Sequence, residues 1–184
     1  MAEAVVSFFV LIVVIVSAFF LLIRPMMERA SVESAAREVA ASIMEAQNYA
    51  MVGKALHPDR EILCNVRFGV PPASAYGSKL RNRYLTKGGY VGPVSICPKG
   101  TIKDTDTEVF IDKKLPDGVE FISVPPTDDV TSSGRTTFSV PFSEVIEPAT
   151  LPAKYVIGKG SSKYTICVRS SGNVSELAGD KSCI

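Results

Sequence analysis

From Ala4 to Ile23 the chain runs twenty residues without a charge, with Ser7 and Ser17 as its only polar side chains. Water does not tolerate such a run in the open: it must be covered by protein or sit in lipid. As an α-helix rising about 1.5 Å per residue it is about 30 Å long, the thickness of a bilayer's hydrocarbon core. Glu3 stands at its start, and basic residues begin at Arg24.

The run exceeds the usual apolar region of a cleaved signal peptide, lacks a basic n-region and has no AxA-like site close behind it, so it reads as a retained anchor. Arg24, Arg29 and Arg37 follow the span, and the positive-inside rule alone would put them in the cytoplasm. Four cysteines, Cys64, Cys97, Cys167 and Cys183, all lie beyond the helix and argue for an oxidising compartment. The cysteines decide the expected orientation. No CxxC or CxxH spacing supports zinc. Of the three possible disulfide connectivities, Cys64–Cys97 with Cys167–Cys183 is preferred because each pair joins sequence neighbours.

Beyond Pro25 the pattern becomes one-sided. Val32, Ala35, Val39, Ala46 and Ala50, with Ala36 and Ile43 beside them, follow a helical period. Glu28, Arg29, Glu33, Arg37, Glu38 and Glu45 take the other positions. Small alanines let a sheet approach closely. Pro25 removes one helical hydrogen bond and predicts a kink. Gly53 and His57-Pro58 end the element.

Short apolar runs then follow in close succession, which predicts antiparallel sheet and not βαβ units. Strands are expected at 61–68, 94–97, 108–112, 119–124, 136–140, 155–158, 164–169 and 173–177, with a long irregular stretch over 69–92. The expected fold is therefore α+β. It comprises an apolar helix over 1–24, its amphipathic continuation over 25–53, and a β-rich head over 54–184.

The net charge is only +1, so bulk electrostatics point to no nucleic-acid partner. The charges are split, however. Seven bases and no acid lie between Ile62 and Lys103, then ten acids against three bases between Asp104 and Thr150. Such a split predicts two faces, or two ends of a subunit that meet in an assembly. Lys79, Arg81, Arg83 and Lys87, interleaved with Tyr76, Tyr84 and Tyr90, offer a basic-aromatic segment able to hold single-stranded DNA. The competing reading is a solvated loop, or one that contacts the acidic half of a neighbouring subunit.

Catalytic chemistry has little to work with. His57 is the single histidine and sits before a proline on a turn, where a solvated loop residue is expected and not a base. No GxSxG, Walker, GxGxxG or HExxH motif occurs. Asp104, Asp106, Asp128 and Asp129 cluster in loops but lack the glycine and distal glutamate of a calcium loop. The chain is expected to be no enzyme and to need no metal or cofactor. Glu3 is the most informative polar residue, because a carboxylate at the edge of an apolar helix is costly unless it stays at the surface or meets a cation in a helix bundle.

Residues 1–23, MAEAVVSFFVLIVVIVSAFFLLI, resemble the N-terminus of type IV pilins and type II secretion pseudopilins. The continuation SVESAAREVAASIMEAQNYAMV looks like their amphipathic half-helix. LPDGVEFISV and KYTICVRSSGNVSEL are similar to the β-rich head of H-type minor pseudopilins. Glu3 lies closer to Met1 than the family's glutamate lies to its mature N-terminus, and Pro25 comes later than the helix proline of many pilins. The resemblance implies trimming by a prepilin peptidase, a wait in the inner membrane, and extraction by assembly machinery into an extracellular helical filament of like subunits. Glu3 would correspond to the glutamate that neutralises a neighbour's N-terminal amine, and Cys167–Cys183 to the C-terminal disulfide loop. The expected function is a structural filament subunit. The alternatives are a low-copy minor pseudopilin at a filament tip, or a single-pass anchored protein whose head binds a ligand or DNA.

Overall fold

The computed structural model describes residues 2–52, 62–72, 81–91, 107–125, 134–140 and 142–183. One helix, α1 (Ala2–Val52), runs for 51 residues and contains Pro25. At about 1.5 Å per residue it is roughly 75 Å long. The proline therefore does not end the helix, and both expected halves belong to one continuous element.

Nine strands follow: β1 (Ile62–Gly69), β2 (Arg83–Val91), β3 (Thr107–Lys114), β4 (Glu120–Ser123), β5 (Arg135–Ser139), β6 (Val145–Glu147), β7 (Ala153–Lys159), β8 (Ser162–Val168) and β9 (Val174–Ala178). They form two antiparallel sheets and not one, of order β3-β2-β1-β5-β6 and β4-β7-β8-β9. The α+β expectation holds at that level.

The sequence reading missed two strands. β2 lies inside the stretch expected to be irregular, because Gly88-Gly89 reads as turn punctuation. In the sheet, Gly89 pairs with Asn65, and a Cβ added at Gly88 would overlap the Phe110 ring. The glycine admits a ring from β3, a use of strand glycine that sequence does not distinguish from a turn. β6 is only three residues long, too short to show a period. The strand expected at 94–97 lies outside the described residues, as do Gly53, His57, Pro58, Tyr76, Lys79, Cys97, Asp104, Asp106, Asp128 and Asp129.

The second half of α1 packs against both sheets, touching β7, β8 and β9 of one and β1 and β5 of the other. Val32, Ala35, Ala36, Val39, Ile43, Ala46 and Ala50, the expected stripe, are all buried, and Ala40 joins them. Four rings close the core between the sheets. Phe68 on β1 meets Tyr84 on β2 and Tyr155 on β7, and Phe121 on β4 meets both tyrosines. Tyr155 shares a 2.7 Å hydrogen bond with Thr136 Oγ1. Tyr84 donates to Glu38 Oε1 at 3.2 Å, so the core ring nearest the helix ends in a polar clasp on it.

Candidate functional site

Where its side chains are described, the first half of α1 has no cover. Phe8 through Val16, Phe19 and Leu21 are 42–76 % exposed. Isolated surface leucines are ordinary, but a contiguous patch on this scale marks a membrane or protein contact. The helix is long and apolar enough to cross a membrane, and such an N-terminal helix can serve as an anchor or a signal sequence. Glu3 falls in its first turn.

The helix passes from bare to covered between Leu21 and Val32. Arg24 Nε lies 3.4 Å from Glu28 Oε1, one turn past the last apolar residue. The β7–β8 hairpin reaches the same level. Its two-residue loop, Gly160-Ser161, has φ +57° at Gly160, the residue type that the first central position of such a turn favours. A Cβ there would lie 3.2 Å from Glu28 Oε2, so the bare backbone lets the hairpin tip sit against the helix. Higher up, Gln47 Nε2 donates to Ser171 O at 3.3 Å, fixing the β8–β9 turn to the same helix face.

Between helix and hairpin lies an open groove of about 890 Å³. Pro25, Met26, Arg29 and Glu33 form its helix wall; Lys163, Asp180 and Lys181 stand on the opposite side. The chain after β9 is held tightly there. Thr165 Oγ1 donates to Gly179 O at 2.7 Å and accepts from the Lys181 amide at 3.0 Å. A disulfide joins Cys167 on β8 to Cys183. Asp180 accepts from Lys154 Nζ at 2.7 Å, with Lys163 Nζ at 3.8 Å. The Lys154 hydrogen bond, aided by the charges of both lysines, holds the Asp180 carboxyl below its usual range.

The Cys167–Cys183 pairing is the one expected. Cys64 is also disulfide-bonded, while its expected partner Cys97 lies outside the described residues. Among the described residues, no group of three or more His, Cys, Asp and Glu is placed to hold a metal ion.

Among the described residues, the basic-aromatic segment does not form one exposed face. Arg83 makes a two-pronged pair with Asp112 on β3, at 2.6 Å for each nitrogen. Tyr84, expected as an exposed stacking ring, is wholly buried. Burial raises its pKa to about 12, with Glu38 adding in the same direction and the Ser42 hydroxyl opposing. Arg81 contributes a backbone carbonyl to Phe121 N at 2.8 Å. Lys87 faces Arg67 across the β1–β2 register. The physical reason is strand pairing: β2 alternates its side chains, sending Tyr84 inward, and β3 brings acids beside it. Part of the charge split expected to act between subunits is thus satisfied inside the head.

Sequence reasoning did not find the groove. Arg29 counts in the sequence only as a polar helix position and as one of the three arginines that follow the span, and Lys163, Asp180 and Lys181 belong to no chemical motif. Only the folded path of β7 to β9 brings them together.

No family model, curated protein or solved structure matches the chain.

Proposed function

We propose that this chain is a structural subunit of a type IV pilus-like filament, held in the inner membrane by its N-terminal helix before assembly and displayed outside the cell afterwards. One observation carries the reading. A single 51-residue helix is bare and apolar from Phe8 to Leu21 and, from Val32 onward, buries one face against two sheets. Fully covering a large apolar side chain stabilises by about 1.5–3 kcal/mol, so eleven exposed ones between Phe8 and Leu21 cannot remain in water. Lipid covers them in the membrane, and like helices cover them in a filament core. Since lipid tails are as apolar as leucine, the exchange must be decided by helix packing and polar pairing. The resemblance assigns that polar role to Glu3, pairing with a neighbour's N-terminal amine.

The test is electron microscopy, with mass spectrometry, of material sheared from cells producing the chain. Thin filaments composed mainly of it, and a strong reduction of them in Glu3→Ala with the head still folded, are the expected result. A normal filament yield from Glu3→Ala would reject the role of that carboxylate. Absence of filaments, with the protein left in the membrane fraction, would favour a low-copy minor pseudopilin or an anchored binding protein.

A further inference from the structure

The acids around the junction groove are committed, whereas two of its bases are not. Glu28 holds Arg24, Glu33 holds Arg37, and Asp180 is shared by Lys154 and Lys163. Arg29 and Lys181 line the groove from opposite sides, and neither side chain has an ion-pair partner among the described residues. The groove therefore presents uncompensated positive charge.

Its position along α1 is equally specific. Arg29 is six residues past Ile23, about 9 Å farther along the axis. Each polar layer of a bilayer extends roughly 5–8 Å beyond the hydrocarbon. Helical side chains lean toward the N-terminus, so Arg29 leans back toward the bilayer. Pro25 and Met26, on the same wall, lie one turn nearer the bilayer, and Met26 is exposed. The helix wall of the groove is thus apolar at its membrane side and cationic above it, in the order in which a phospholipid presents its acyl ends and its phosphate. A free anion would have no use for the apolar part.

We infer that the groove seats the phosphate headgroup of an anionic phospholipid, with Arg29 and Lys181 as the cations that contact it. The inference rests on the reading of the first half of α1 as a membrane anchor. Before assembly, such a contact would set the depth and rotation of the helix, and it would have to break when the subunit leaves the bilayer.

The test uses the full chain. Flotation with neutral phosphatidylcholine vesicles first establishes insertion. Native mass spectrometry then counts lipids retained from vesicles of equimolar phosphatidylglycerol and phosphatidylcholine at low salt. The expected result is a preference for phosphatidylglycerol that falls about fivefold for each cation removed, so that Arg29→Gln/Lys181→Gln largely abolishes it. Lys87→Gln/Lys113→Gln removes the same charge from β2 and β3 and should keep the preference. Lys113 pairs with Glu38, nine residues farther along the helix than Arg29. Flotation with equal retention of both lipids, or an unchanged preference in the Arg29/Lys181 variant, would overturn the inference and leave the anchor standing. Failure to float would overturn both. Loss of phosphatidylglycerol when phosphate replaces chloride at equal ionic strength would assign the groove to a free anion and overturn the lipid assignment. A cross-linked dimer through the groove that forms equally in neutral lipid would give it to a second copy and overturn the inference as well.

Discussion

Phe68 and Tyr155 meet edge to face across the two sheets, with ring centroids 5.5 Å apart and planes at 89°. Both are fully buried, and with Tyr84 and Phe121 they form the contact that holds β1 and β2 against β4 and β7. Phe68→Ala should destabilise the head by about 3–5 kcal/mol through lost burial and the cavity left behind. Tyr155→Phe, which strands Thr136 Oγ1 in the core, should cost about 1–3 kcal/mol. Urea denaturation in detergent, followed by head fluorescence, measures both. A Phe68→Ala midpoint near the wild-type value would mean that the sheets are held together elsewhere.

Alkali should loosen the head through the same rings. Burial raises Tyr84 from 10.0 to about 12, and it pushes Tyr155 up as well. Between those two pH values the unfolded chain has lost the Tyr84 proton while the folded chain keeps it. The stability is therefore complete below pH 10 and declines as pH rises toward 12, by about 2–3 kcal/mol from Tyr84 alone. Tyr84→Phe should show a shallower decline over that window. An identical slope in the variant would remove Tyr84 from the account.

The tail contact should respond to acid instead. The Lys154 hydrogen bond holds the Asp180 carboxyl below its usual range in the folded head, so the pairing is present above the usual carboxylate range and is lost as pH falls through the lowered value. The pair is exposed, and its effect should be local and reduced by salt. The protection factors of the Gly179 to Lys181 amides, each taken against the intrinsic exchange rate at the same pH, should fall in acid, and Asp180→Asn should reproduce the fall at neutral pH. Protection unaffected by either would leave the tail held by Thr165 and the disulfide alone.

The bare half of α1 can be tested without assembling anything. Val13 lies amid the exposed apolar run, and Val13→Lys should make membrane insertion less favourable by about 2.5–3.5 kcal/mol. Carbonate extraction of cell membranes would then release the variant while the wild type stays. Its head should fold unchanged, because residues 8–16 make no part of the core.

Much of this architecture was legible in the chain because the relevant signals are local. The apolar run, the alanine stripe from Val32 to Ala50 and seven of the described strands each follow from periodicity over a few turns or a few residues. The Cys167–Cys183 pair followed from neighbourhood in sequence. β2 did not, because Lys87-Gly88-Gly89 has the composition of a turn and becomes strand only when β1 and β3 flank it and Phe110 fills the place of a Cβ.

Sequence alone determined that this protein has an apolar helix needing a non-aqueous partner and an antiparallel head, since hydrophobic period and turn chemistry act within single segments. Tertiary structure decided which side chains meet. It drew Tyr84 into the core, gave Arg83 to Asp112, and set Arg29 opposite Lys181 at the foot of the head. Those placements relate residues from 29 to 152 positions apart, and only strand register and helix packing bring the chain together over such separations.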